Sequence, residues 1–136
     1  MGLIIQFLAD IRRVWTGAMA QASVASVEVE TWDFSSAPSW TLIVSVNGGA
    51  PQTITILAAG FADATAATAV EVAAQIDAAL TGGGSYSLTD GAVAIEADLA
   101  TPTTSIQVTG GTANALLLFP TAVETQAGYK DRKSVV

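Results

Sequence analysis

Apolar and polar residues alternate in the middle of the chain in the pattern of β-strands. Residues 41–46 are rich in β-branched side chains, and residues 52–57 alternate threonine with isoleucine. Between them lies Asn-Gly-Gly at positions 47–49, and these residue types accept the positive φ angles of a hairpin turn. The pattern therefore predicts that the two segments pair as a hairpin, with a loop longer than two residues because Ala50 and Pro51 follow.

A helix is predicted over residues 68–81. Thr68 followed by Glu71 has the form of a capping box, in which each side chain bonds the other residue's backbone N–H. The glycines at 82–84 then end the helix. An apolar stripe of small residues recurs at helical spacing: Ala69, Val72, Ala73, Ile76 and Leu80.

Further strands are predicted on both sides of this unit. Residues 85–89 and 92–97 alternate around an Asp-Gly turn, and strands are also expected at 24–32 and 104–109. Residues 113–119 are expected to form a short helix or turn that covers a sheet edge. The fold class is α+β, with antiparallel β-sheet of about six strands and one helix packed on a face. The predicted core is Ile54, Ile56, Val72, Ile76, Leu80, Leu88, Val93 and Ile95.

Residues 1–22 are predicted to form an amphipathic helix. Ile4, Leu8, Ile11 and Trp15 recur every three or four positions, and Phe7 and Val14 widen this apolar seam. The helix packs either on its own domain or on a neighbouring subunit. A secretory signal is not indicated because Arg12 and Arg13 follow the apolar run instead of preceding it, and the run is too short to span a membrane.

The chain divides into a docking helix at 1–22, an α+β structural domain at 23–122 and an extended C-terminal arm at 123–136. The arm is polar, lacks periodicity and ends in a basic cluster, which is typical of segments that become ordered on a neighbour. The candidate interface residues in the two end segments are Ile4, Phe7, Leu8, Ile11, Val14, Trp15, Tyr129, Lys130 and Arg132.

Composition argues against nucleic-acid binding and is compatible with assembly. Only 12% of the residues are charged, compared with about 25% in ordinary soluble domains. Either copies of the chain cover much of the surface, or small polar residues replace charges on a solvated one. The net charge of −7 and the lack of a basic stripe argue against nucleic acid as a partner.

The residues offer little for catalysis. The chain has no histidine and no cysteine, which removes His-based nucleophile systems and the usual zinc ligands. The carboxylates are scattered, and neither a calcium loop nor a phosphate loop is present. We therefore expect no enzyme activity, no cofactor and no metal.

Residues 41–119 resemble a small strand-strand-helix-strand-strand module of bacteriophage structural proteins, including tail sheath proteins. The segments that carry this resemblance are Leu42-Ile43-Val44-Ser45-Val46-Asn47-Gly48-Gly49, Ile54-Thr55-Ile56, Ala66-Ala67-Thr68-Ala69-Val70-Glu71-Val72-Ala73-Ala74-Gln75-Ile76, Gly91-Ala92-Val93-Ala94-Ile95 and Ser105-Ile106-Gln107-Val108. The chain is much shorter than a sheath subunit. The resemblance implies a small virion component of the tail, neck, baseplate, fibre or capsid decoration. Its partners would be copies of itself, as a homo-oligomer, and other virion proteins, with assembly in the host cytoplasm.

A second hypothesis comes from the aromatic residues. Trp32, Trp40 and Tyr86 could form stacking surfaces of a receptor- or glycan-binding module if they were exposed. Trp32 and Trp40 flank the same loop, and pairs of this kind more often cap a core. Exposure of the tryptophans therefore separates the two hypotheses.

Overall fold

A computed structural model of the protein describes residues 21–98 and 104–125. These residues form an α+β fold, as predicted, and the strands lie in two antiparallel sheets. In chain order the elements are β1 (Ser23–Ala25), β2 (Ser39–Val46), β3 (Gln52–Leu57), α1 (Ala69–Ala79), β4 (Gly83–Ser87), β5 (Val93–Ala97), β6 (Ser105–Gly110), the single turn α2 (Asn114–Leu117) and β7 (Glu124–Thr125). Two 3-10 turns, at Ala58–Gly60 and Ala64–Ala66, connect β3 to α1.

The two sheets contain three and four strands. Their strand orders are β1-β5-β4 and β3-β2-β6-β7. The predicted order strand, strand, helix, strand, strand is confirmed for β2, β3, α1, β4 and β5, but the two hairpins belong to different sheets. Helix α1 packs against β3 of one sheet and against β4 and β5 of the other, so it connects the two sheets along one side.

The first hairpin is confirmed, and its turn also fixes a third strand. Leu42 pairs with Ile54 and Val44 with Gln52, and the five residues 47–51 connect the end of β2 to the start of β3. Asn47 has a φ of 54°, as a turn of this kind requires. Its backbone N–H donates to the Ser105 carbonyl (2.8 Å), and its Oδ1 accepts from the Ser105 N–H (2.9 Å). The turn residue thereby aligns β6 with β2.

The capping box of α1 is confirmed. The Glu71 N–H donates to Thr68 Oγ1 (3.3 Å), and the Thr68 N–H donates to Glu71 Oε1 (3.2 Å). The helix ends at Ala79, and Gly83 already lies in β4, two residues earlier than the predicted strand. A Cβ atom on Gly83 would lie 2.5 Å from the Glu96 carbonyl oxygen, so the close approach of β4 to β5 requires glycine there.

The predicted core is confirmed at every position except Leu88, which is half-buried. Ser85 and Ser87 pair with Ile95 and Val93 on the core face of this sheet, so Tyr86 and Leu88 face outward. The small serines suit this face because α1 packs closely on β4, and the Asp77 carboxylate of α1 accepts from the Ser85 N–H (3.0 Å). The prediction placed Leu88 in the core and thus chose the wrong face for this residue.

The predicted strand at 24–32 is wrong beyond Ala25. The Ser26 hydroxyl accepts from the Val93 N–H (3.0 Å) and donates to the Glu28 carbonyl (2.8 Å), which turns the chain away from the sheet. Val27 and Val29 are consequently exposed. Val24 and Val27 are an odd number of positions apart, so they could not share one face of a regular strand.

Residues 113–119 form the predicted short helix, α2. Leu118 follows it with a φ of 56°, and the Asn114 side chain bonds both the N–H (2.7 Å) and the carbonyl (3.1 Å) of Phe119. Leu117 and Phe119 are buried. The backbone carbonyl of Leu118 accepts from the Val27 N–H (3.1 Å), so this segment lies beside the end of β1 and covers the core there.

Candidate interaction surface

The residues predicted to make intersubunit contacts all lie outside the described part of the chain. The apolar seam falls within residues 1–20, and the basic cluster falls within residues 126–136. The docking helix and the C-terminal arm therefore stay predictions.

The aromatic residues considered for glycan stacking are largely part of the core. Trp32 is 5% exposed. Trp40 is half-buried; its Nε1–H donates to the Phe34 carbonyl (2.9 Å), and its ring meets the Phe34 ring edge-on with centroids 5.5 Å apart. Phe34 in turn stacks on Phe61 at 5.1 Å. Tyr86 is exposed, but it lies on the outward face of the other sheet. The two tryptophans thus form no exposed pair on which a sugar ring could stack.

Charge is segregated along the chain. Of the twelve carboxylates, all except Asp10 and Asp131 lie between residues 21 and 125, which leaves ten there. All five basic residues lie in the end segments: Arg12, Arg13, Lys130, Arg132 and Lys133. Residues 21–125, called the body below, therefore have a formal charge of −10, whereas residues 1–20 and 126–136 together have +3. The sequence alone shows this separation of charges, because every basic residue lies before position 14 or after position 129.

Four carboxylates lie close to the start of α1. Glu30 Oε1 accepts from the Ala69 N–H (3.3 Å), and Glu71 Oε2 accepts from the Ala62 N–H (2.8 Å). Asp33 accepts from Ser35, and Asp63 accepts from Thr65. Across residues 21–98 and 104–125, no group of three or more potential ligands is arranged to hold a metal ion. Through the hydrogen bonds given above, these carboxylates cap the turns and α1, and their negative charges lie together at this end of the body.

Hydrogen bonds keep three of these carboxylates ionised. Those from Ser35 lower the pKa of Asp33, those from Thr65 lower the pKa of Asp63, and those from Ala62 and Thr68 lower the pKa of Glu71. The negative charge of Asp33 beside Asp63, and of Asp63 beside Glu71, acts in the opposite direction but is the smaller effect. Asp33, Asp63 and Glu71 therefore keep their negative charge to a lower pH than carboxylates without such bonds.

Glu71→Gln should remove part of the acid dependence of stability. Because hydrogen bonds lower the pKa of Glu71 in the folded state, its contribution is present above the ordinary value of 4.5 and is lost as the pH falls below it. We expect the variant to be less stable than the native chain at neutral pH and the difference to shrink in acid. Urea unfolding at several values from about pH 3 to about pH 7 measures this.

The matched control for this prediction is Glu28→Gln. The Glu28 carboxylate is exposed, and no other described residue donates a hydrogen bond to it. Its replacement should leave the pH profile of stability almost parallel to that of the native chain. A Glu71→Gln profile equally parallel to the native one would contradict the proposed role of the capping box.

The four-stranded sheet presents a surface of the opposite kind. Strands β2, β3 and β6 contain no charged residue. Their outward face is dominated by hydroxyl groups around the half-buried side chain of Ile43. The threonines on and beside this face are Thr41, Thr53, Thr55, Thr109 and Thr112. Thr41 and Thr112 bond each other through backbone and side chain (2.8 and 3.1 Å), which fixes the connection after β6 to this face.

Comparison with known proteins assigns no family. No protein-family model, curated protein or solved structure matches this chain. Among the helices of the described segments, none has the length and apolar character needed to cross a membrane.

Proposed function

We propose that the protein is a non-enzymatic structural subunit that assembles in many copies. The observation that carries this proposal is the separation of an acidic body from basic chain ends. A chain of this kind is complementary to other copies of itself, because the ends of one copy are attracted to the body of the next.

The N-terminal segment adds apolar contacts to this attraction. Burial of large side chains such as Ile4, Leu8 and Trp15 on a neighbour would contribute about 1.5 to 3 kcal/mol each. Such a sum is sufficient to hold a subunit in place after the entropy cost of association is subtracted. Charge would then mainly determine how fast the copies associate and with which partner. Apolar burial would determine the affinity.

The particle that we propose is a bacteriophage virion, in which the chain would form part of the tail, neck, baseplate, fibre or capsid decoration. This part of the proposal rests on the resemblance of residues 41–119 to a module of phage structural proteins. The order of β2, β3, α1, β4 and β5 is compatible with it. Partners would be other copies and other virion proteins.

Deletion of residues 1–20 tests the proposal. The described body has its own core, so we expect the truncated chain to stay folded and to lose assembly. Light scattering coupled to size-exclusion chromatography gives the mass of each form, and circular dichroism reports folding. The double variant Arg12→Gln, Arg13→Gln is the matched control, because it keeps the apolar seam and removes only the charge. It should assemble more slowly and with a weaker dependence on salt.

Three results would count against the proposal. A truncated chain that unfolds would place the helix in its own core. A truncated chain that assembles fully would exclude the N-terminal segment as the contact. A native chain that stays monomeric at all concentrations and salt levels would contradict multi-copy assembly altogether. The proposed setting is tested separately, by measuring whether purified particles contain the chain at a fixed copy number.

A further inference from the structure

Strand β3 has an open edge in its centre. It is the outermost strand of the four-stranded sheet, and the Ala58 N–H donates to the Pro38 carbonyl (3.0 Å) in line with the β2–β3 register. In that register, the backbone N–H and C=O groups of residues 52, 54 and 56 point toward β2. Those of residues 53, 55 and 57 point away from it. The N–H and C=O groups of Thr53 and Thr55 point away and have no partner among the described residues.

A glutamine side chain closes this edge at one end, and a second glutamine side chain connects the other end of the strand to Thr81. The Gln75 side chain of α1 bonds the N–H (2.8 Å) and the carbonyl (3.1 Å) of Leu57. At the other end, the Gln52 side chain bonds the carbonyl (2.7 Å) and N–H (2.8 Å) of Thr81. Edge strands with free backbone groups are prone to pair with another chain, and these contacts limit such pairing to a short window. Two residues, Thr53 and Thr55, stay open between them.

We propose that β3 pairs with β3 of a second copy in antiparallel orientation, across a two-fold axis at Ile54. Thr53 of each copy then faces Thr55 of the other. In each of these two pairs, the facing residues exchange two backbone hydrogen bonds. The resulting four bonds use the N–H and C=O groups of Thr53 and Thr55 in both copies. The proposal rests on the proposed multi-copy assembly and identifies one of its contacts.

A second copy fits this edge better than an unrelated strand. The open backbone groups are centred on Ile54, so two copies related by a two-fold axis there present the same groups to each other. Two bodies of formal charge −10 repel each other, and β3 itself contains no charged residue. On α1, three and four positions after Gln75, the exposed residues Ala78 and Ala79 carry only methyl groups, which leave room for the second copy.

Cysteine cross-linking tests the register directly. The chain has no cysteine of its own, so Thr53→Cys and Thr55→Cys each introduce a single thiol. Paired residues of this type have Cα atoms about 5.5 Å apart, a separation that a disulfide can bridge. In the full-length chain, each variant alone should give little disulfide dimer because its thiol faces a threonine. An equimolar mixture of the two should give a covalent dimer under mild oxidation.

A proline substitution tests the same contact without cysteines. Thr55→Pro removes an N–H that makes no bond within the described chain, and proline is tolerated on an edge strand at such positions. It deletes two of the four intersubunit hydrogen bonds. The dissociation constant of the dimer should therefore rise roughly tenfold or more. Thr55→Val is the matched control, since it keeps the N–H. Sedimentation velocity measures the dissociation, and circular dichroism confirms that both variants are folded.

The outcomes separate this inference from the proposed function. If the native chain assembles in many copies but the mixture forms no cross-link, the β3 contact is wrong and the proposed function stands. If the cross-link forms but no species larger than a dimer exists, the β3 contact stands and multi-copy assembly is wrong. A monomer without cross-links overturns both. Equal cross-linking by the single variants and by the mixture overturns the register.

Discussion

Gly111→Ala is expected to destabilise the protein by about 3 to 5 kcal/mol, since it combines backbone strain with a steric clash. Gly111 has a φ of 112°, which residues with a side chain rarely adopt. A Cβ atom there would overlap the Thr41 carbonyl oxygen and would lie 2.7 Å from the Leu42 Cα atom. Both contacts are with backbone of the central strand β2, so no side-chain rotation can relieve them.

The close approach at Gly111 also positions the segment that leads into α2. The Ala113 N–H donates to the Thr41 carbonyl (2.8 Å), next to the position where the added methyl group would lie. Thermal and urea unfolding of the variant would report the loss. Gly48→Ala is the control, because Gly48 has a φ of 71° but nothing within 4 Å of its Cβ position. It should cost only about 1 kcal/mol, from the conformational term alone. Equal losses in the two variants would show that the contact with β2 is unimportant.

Ile76→Ala is expected to reduce the free energy of unfolding by roughly 2 to 5 kcal/mol. Ile76 is fully buried on α1, the helix that packs on both sheets. Removal of its side chain would leave a cavity lined from two sides, and such a site collapses poorly because each sheet is fixed by its own hydrogen bonds. Urea unfolding with fluorescence detection measures the change.

Val70→Ala on the same helix is the matched control. Val70 is 64% exposed, so its truncation should change stability by less than about 0.5 kcal/mol. A loss well below about 1 kcal/mol for Ile76→Ala would mean that the packing of α1 contributes little to stability. The contrast between the two positions therefore measures the contribution of tertiary packing on one helix.

Local signals predicted the local elements well. The capping box at Thr68 and Glu71 fixed the start of α1, and Asn47 and Gly48 marked the first turn, because in each case the bonds form within a few residues. The core positions of α1 and β3 followed from periodicity. These features depend on short segments, so the sequence contains most of the information that determines them.

Features that depend on distant residues were not predictable. The division of the strands into two sheets depends on which strand β1 and β6 join, and their partners are far away in the sequence. Ser87 lies on the core face and Leu88 on the outward face, because α1 packs on β4 and favours small residues there. The bend after Ala25 depends on a hydrogen bond from Val93 to Ser26.

The same distinction applies to the interaction surface. The positions of Arg12, Arg13 and the basic residues near the end of the chain are visible in the sequence, but the contrast with the body needs the limits of the fold. The open edge of β3 could not be foreseen, because it depends on where Gln75 reaches across to Leu57. The predicted interface residues of the end segments await the assembly experiments.

The topology also has a kinetic consequence, because the two sheets are completed by pairings between distant parts of the chain. Val24 of β1 pairs with Ile95, and Val44 of β2 pairs with Val108, whereas both hairpins close over short loops. Contacts between remote residues slow folding because a long loop must close before they form. We therefore expect the hairpins and α1 to form first during synthesis, and β1 to wait unpaired until residues 93–97 have left the ribosome.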